Sequence, residues 1–583
     1  MPLSPRQKPL RSLPKTRDSS LPAPARPVRP SLIVGLSLVG LAVAVASGLS
    51  APVTEVQTGA QFGLLQLLPP TYWFGVILMG SAVGLALLGR FQKTFVLAGV
   101  LLFAVFAGTP ILFEPNPPIW DSYGHLSEAQ AVGWSGHLAQ SMDQYAANWP
   151  GFFLIAWYGL SMSNLTPLQF MALFPFLTGG LTFLAVFEFL RSRFPPNMAG
   201  IGSVLASFLN VWGQYHLSPQ SFGLFLLLLI LASVPRTQIR WRIACVILYA
   251  SLVVSHPTST VLLLAVLFAD AAIGWVSRLR RKLFIRSMSR PHGRPQGGPA
   301  LAFGVTWLGW LLFRAIGSSQ ATETAILARI GAILQIPEQA AGLVTARTVE
   351  NVYPFPPVIR LAGIAVVGVI ALLSLLAVSR KPNLRPAMRF MWASLAGIIF
   401  VGLLDLLVFQ GMFIDRAFML FAILAPAVCL YALPRLSISP RVRQTVVVVL
   451  LGASLAVAST AYYQESFYFV SGQAVAVSTH LQLVNPNSLV LDGFYPAPVW
   501  IDIPGRTPFA GMRFLAAYPR PFEDFAGNSS VYAVYDPTAS LWYRQWGGLD
   551  VYRFYEGYES NYSRIYDNGR SQIYAVYLPG AGG

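Results

Sequence analysis

Apolar residues in this chain come in long runs broken by short polar turns, a pattern that predicts a bundle of membrane-spanning helices. The runs match the roughly 20 residues that a helix needs to cross the hydrocarbon core. Thirteen spans are expected, near 31–50, 70–89, 94–113, 167–189, 196–213, 221–235, 242–255, 258–276, 301–317, 358–378, 390–410, 417–434 and 445–463. Segment 151–162 is apolar but too short to span, and it contains Trp157 and Tyr158, so it is expected to lie along the outer interface.

From Gln464 onward the pattern changes. Acids become frequent, aromatic residues scatter, and no run is long enough to span. Residues 472–484 read as a helix, and 488–492 and 531–535 as strands. Residues 564–577 read as a hairpin around Asn568-Gly569. The fold class is therefore a polytopic α-helical membrane protein with a small α/β C-terminal domain. Its expected parts are a disordered basic tail over 1–30, a transmembrane domain over 31–463 with long outer loops at 114–166 and 318–357, and the α/β domain over 464–583. No internal repeat is visible, unlike transporters built from duplicated halves.

Only 11% of the 583 residues are charged, too few to cover water-soluble domains of this length. Their distribution sets an orientation. The tail and the turns at Arg90/Lys93, Arg191/Arg193, Arg236–Arg242, Arg278–Arg294, Arg380–Arg389 and Arg435–Arg443 carry 28 of the 40 Lys and Arg residues. All fall on one side of a thirteen-span bundle. Positive residues are retained on the cytoplasmic side, so the N-terminus is expected inside and the C-terminal domain outside. The net charge of +17 follows from this bias and does not indicate nucleic acid. Cys245 and Cys429 lie within spans and imply no disulfide framework. The first span follows a Pro/Arg-rich tail without a small-residue cleavage site and reads as an uncleaved anchor.

Polar groups placed on this topology gather at the outer side. Asp121, His125 and Glu128 lie in the first outer loop, Glu114-Pro-Asn-Pro-Pro-Ile-Trp-Asp-Ser-Tyr-Gly-His-Leu-Ser-Glu128. Asp121 and His125 share one face if that segment is helical. His216 and His256 sit in turns, and Asp415-Arg416 opens the twelfth span. Taken singly, Asp121 is as suited to capping a helix as to chemistry, the histidines to bonding water or carbonyls, and Asp415-Arg416 to a structural ion pair. Their joint placement favours one shared site. Asp405 lies inside a span, Glu188 and Arg191 have the spacing of a surface pair, and Asn164, Asn528 and Asn561 open acceptor sequons. No Walker loop, dinucleotide fingerprint or Cys/His zinc pattern occurs.

The first-loop Trp120-Asp121-Ser-Tyr-Gly-His125, the Asn148-Trp-Pro-Gly151 exit, Asp415-Arg416 and the closing Tyr566-Asp-Asn-Gly569 hairpin together resemble the GT-C superfamily of membrane glycosyltransferases. The resemblance covers most of 31–583. It implies transfer of a sugar from a polyprenyl-phosphate donor to an acceptor hydroxyl of a glycan, lipid or protein, at the outer face of the cell membrane. It also implies Asp121 as general base, with a pKa expected to be raised at a partly dehydrated rim. Arg416 would clamp the departing phosphate, and His125, His216 and His256 would orient the donor or neutralise that phosphate. The loop has one Asp where many members carry two acids, so a divalent metal is compatible but not required. The Trp-Trp-Asp signature of oligosaccharyltransferases is absent. A transporter or flippase for lipid-linked glycans, or a glycan polymerase or ligase, are the competing readings.

Overall fold

The computed structural model describes residues 29–55, 60–138, 144–284, 297–316, 353–379, 385–405, 414–481, 489–492, 531–538 and 563–576. Most of the expected tail, nearly all of the second long outer loop and the sequons at Asn528 and Asn561 lie outside these residues. Each of the thirteen apolar segments contains a helix. Among the described residues, seven helices are long and apolar enough to cross a membrane, including Pro30–Ser50, Pro167–Arg191 and Phe355–Ser379. Others, such as Gln92–Ala107 and Pro196–Leu209, are shorter but equally apolar. Large apolar side chains point outward from these helices, including Ile77, Leu177, Val246, Leu308 and Leu373. Such faces are costly in water and suited to lipid, so the chain is a multi-pass membrane protein.

Local sequence explains where many helices begin. Proline occupies the first turn at Pro30, Pro70, Pro167, Pro196, Pro219 and Pro440, where its missing N–H costs nothing and its fixed φ suits the helix. Thr166 adds a reciprocal cap: its hydroxyl accepts from the Gln169 N–H while the Gln169 side chain accepts from the Thr166 N–H. Small residues let helices meet closely. A Cβ on Gly40 would lie 2.7 Å from the Gly75 carbonyl oxygen, so helices Pro30–Ser50 and Pro70–Leu88 cross there in near backbone contact.

Among the described residues, three short helices follow the third apolar segment: Asp121–Ser135, Gln144–Asn148 and Gly151–Ser163. The first and third pack together through Tyr123, Leu126 and Ala129 against Phe152, Phe153 and Ala156, with Leu217 and Val470 closing the cluster. Gly151–Ser163 is two-faced, with Ile155, Tyr158 and Met162 exposed opposite its buried phenylalanines. Glu188 meets Arg191 at 3.0 Å, and Arg236 joins the pair at 3.2 Å.

After the last spanning helix, Pro440–Ala458, the chain makes a helical turn at Glu465–Tyr468 and a helix at Gly472–Leu481. Among the described residues four strands follow: β1 (Leu489–Asp492), β2 (Val531–Tyr535), β3 (Ser563–Asp567) and β4 (Gln572–Val576). Their order is β1-β2-β4-β3, with β1 parallel to β2 and the other pairs antiparallel. Val477 and Leu481 of the helix pack on Val534 and Ile573 of the sheet. The β3–β4 connection runs through four residues rather than a two-residue Asn-Gly turn. Asn568 Oδ1 accepts from the Ser571 N–H at 2.9 Å and Asp567 Oδ1 from the Gly569 N–H at 2.8 Å, which favours the longer loop.

Candidate active site

Asp121 is the first residue of its helix. The preceding Trp120 provides no side-chain cap, and the Asp121 carboxylate turns to histidines instead of capping. His125, one turn on, places Nε2 3.1 Å from Asp121 Oδ2. His216, from the turn before helix Pro219–Ser233, brings its Nε2 to 3.5 Å from the same oxygen. With a carboxylate as acceptor, each imidazole donates from Nε2. Both contacts fall on Oδ2, and the Asp121 side chain keeps about a third of its surface exposed.

The His216 turn is itself held firmly. The Thr178 hydroxyl donates to the Tyr215 carbonyl, and the Ser221 hydroxyl to the His216 carbonyl. Gln214 adopts a positive φ of 43° to make the bend. His125 lies edge-on to Phe152 and Phe153, with ring centroids 6.2 and 5.8 Å away, which fixes its direction.

Burial alone would raise the pKa of Asp121. The charge and hydrogen bond of His125, with the same two contributions from His216, outweigh that and hold the carboxyl well below its usual range. This corrects the expectation of a raised value: two imidazoles on one oxygen matter more than the dehydrated rim. Asp121 is therefore ionised across the physiological range.

His256 caps the end of helix Ile239–Ser255. Its Nδ1 accepts from the Ser259 N–H and lies 2.7 Å from the Ser259 hydroxyl, which assigns the proton to Nε2. Gly223 makes room for the ring, since a Cβ there would stand 2.7 Å from Nδ1. Burial, followed by the charges of Arg416 and His125, pushes the pKa of His256 well below its usual value. Burial lowers that of His216 as well, only partly offset by Asp121. His216 Nδ1 is buried and has no hydrogen-bond partner among the described residues, so a second ring proton would be unmatched. Both rings are neutral donors or acceptors at neutral pH, which corrects the expectation that they neutralise phosphate by charge.

The structure thus brings together Asp121, His125 and His216 by direct contact, and His256 and Arg416 by electrostatic reach. Arg416 is half-buried in the first turn of helix Ile414–Ala432. The side chain of Asp415 lies outside the described residues. Glu128 is buried two turns along the Asp121 helix, and Asp405 is buried at the end of helix Arg385–Leu404. Among the described residues, no group of three or more His, Cys, Asp or Glu side chains is arranged to hold a metal ion.

Sequence reasoning did not single out the residues that hold the Asp121 loop. The Ile119 N–H donates to the Tyr468 carbonyl at 2.9 Å, and the Asn116 amide to the Val470 carbonyl at 3.1 Å. On the other side, the Tyr123 hydroxyl donates to the Pro117 carbonyl at 2.8 Å. Ile119 has φ of 71°, a region that β-branched residues avoid. Glu114 and Glu465 are buried where these two segments meet. An acid inside the aromatic run Tyr462-Tyr-Gln-Glu-Ser-Phe-Tyr-Phe469 was the available signal for Glu465.

No protein-family profile matches the chain, and no curated protein does. Solved structures similar to it include ArnT from Cupriavidus metallidurans bound to undecaprenyl phosphate, at 13% identity and a TM-score of 0.46, over 84% of this chain and 99% of ArnT. The Archaeoglobus fulgidus oligosaccharyltransferase in its apo form is also similar, at 13% identity and a TM-score of 0.46, over 78% of this chain and 71% of that one. The archaeal oligosaccharyltransferase AglB with an inhibitory peptide and a dolichol-phosphate matches at 13% identity and a TM-score of 0.43, over 84% and 75%. None of these likenesses bears on which side chains act.

Proposed function

We propose that the protein is an integral membrane glycosyltransferase that moves a sugar from a polyprenyl-phosphate carrier to an acceptor hydroxyl at the extracytoplasmic face. The observation that carries this reading is the Asp121 carboxylate, hydrogen-bonded by two imidazoles on one oxygen, with His125 and Arg416 both acting on His256. The positive-inside bias of the sequence supports an extracytoplasmic location for the Asp121 loop and the C-terminal sheet.

In the proposed reaction the acceptor oxygen attacks the anomeric carbon, and its proton passes to Asp121 Oδ1. The bond from that carbon to the phosphate oxygen breaks, and its electron pair leaves with the lipid phosphate. A carboxylate with a depressed pKa is a weak base, so proton transfer comes late, once the new bond has made the acceptor proton acidic. His125 and His216 keep the carboxylate ionised and aimed. Arg416, always charged and able to donate to two oxygens, pairs with the phosphate in its bound and departing forms. His256 presents a neutral ring beside it.

Purified protein in lipid, supplied with a panel of labelled polyprenyl-phosphate sugars, should transfer at least one sugar. Arg416→Ala should then weaken donor binding about tenfold to a hundredfold, the worth of a charged hydrogen-bond pair, and Arg416→Lys should restore only part of it. Unchanged donor affinity in Arg416→Ala would remove the arginine from the phosphate site.

A further inference from the structure

The segment Glu465–Val470, just past the last spanning helix, grips the loop that ends at Asp121. It supplies the carbonyls of Tyr468 and Val470 to Ile119 and Asn116. One of these bonds is made by the residue at φ 71° itself, and Asp121 follows two positions later. A β-branched residue is strained there, so the loop keeps this shape only while its partners stay seated.

At the base of the grip are two acids. Glu114 is 7% exposed and Glu465 is 3% exposed. Both oxygens of Glu114 and Oε1 of Glu465 are buried without a hydrogen-bond partner among the described residues. The charge of Glu465 acts on Glu114, and the charges of the two acids in turn reach Tyr123, Tyr462 and Tyr468. Among the described residues, Arg360 acts on Tyr468, and Arg570 lies over the Phe469 ring at 5.8 Å and 4.0 Å from Glu55. Two ionised carboxylates buried together without a cation would repel and lose their hydration at once.

We propose that Glu114 and Glu465 are positioning residues for Asp121: with at least one of them protonated, they let Glu465–Val470 seat on the first loop, and the loss of that proton loosens the seat. The positioning role rests on the reading of Asp121 as the base. Burial, reinforced for Glu114 by its neighbour, raises both groups, Glu465 to about 8. For a carboxyl raised on folding, the unfolded state ionises first. Stability is then full below the ordinary carboxylate range and falls as pH climbs through that range to about 8.

Two readouts on the lipid-embedded protein test this, between about pH 6 and pH 8.5. The Tm of the wild-type protein should fall across that window, and kcat should drop about tenfold or more while donor KM holds, because a displaced base slows chemistry before binding. Glu465→Gln and Glu114→Gln keep the shape and stay neutral, so each should flatten both profiles and retain the kcat seen near pH 6. A Gln variant with the alkaline Tm loss of the wild type overturns the proposal. Should neither variant fold, infrared spectra of the wild-type protein decide: a protonated carboxylic acid band at neutral pH is expected, and its absence overturns the proposal. Full activity in Asp121→Asn would instead remove the base and leave the Tm result standing.

Discussion

Asp121 shows how local contacts override a general environmental expectation. A carboxyl at a membrane rim is expected to bind protons more tightly, yet two imidazole donors on Oδ2 reverse the direction. The pH dependence follows with a definite sign. The wild-type acid limb should lie below the ordinary carboxylate range, because Asp121 resists protonation. In His125→Ala, the largest stabilising contact is gone and burial acts with less opposition, so the acid limb of kcat/KM should move to higher pH. A limb that stays put or moves lower would show that His125 does not tune Asp121. The residue types and the i,i+4 spacing of Asp121 and His125 were legible in the sequence. The third partner was not given by spacing: His216 arrives from 95 positions away through a turn whose geometry depends on Gln214 and Thr178.

At the scale of elements, hydrophobic run length fixed the helices well, because a stretch of lipid-compatible residues has few alternatives to a helix. Irregular segments were less legible. The positive φ of Ile119 has no sequence signal, since the residue type argues against it, and the bonds that impose it come from residues about 350 positions later. The packing of helix Pro219–Ser233 under His256 is a further case, in which a glycine admits a buried ring. Gly223→Ala would push a methyl group into His256 Nδ1. That should cost about 1–3 kcal/mol of stability and tilt the ring from its Ser259 partner. A lowered Tm together with reduced transfer is expected, and a variant equal to wild type in both would show that the ring has room to shift.

For the whole molecule, the account joins two regions that the sequence separates. The transmembrane bundle presents the polar groups at one end, and the chain beyond the last span returns to hold the first loop in place. The strands beyond the last apolar run were readable from their β-prone residues, but the grip of Glu465–Val470 on the Asp121 loop was not, because composition says nothing about docking across such distances. The central claim is that Asp121 is the base of a sugar transfer at the outer face. The most direct measurement follows a labelled polyprenyl-phosphate sugar in sealed vesicles, with acceptor supplied only on the extracytoplasmic side, for wild-type and Asp121→Asn protein. The account predicts transfer by the wild type and a loss of about a hundredfold or more in kcat for the variant, with donor binding retained. Wild-type turnover by Asp121→Asn, or transfer only when acceptor is on the cytoplasmic side, would contradict it.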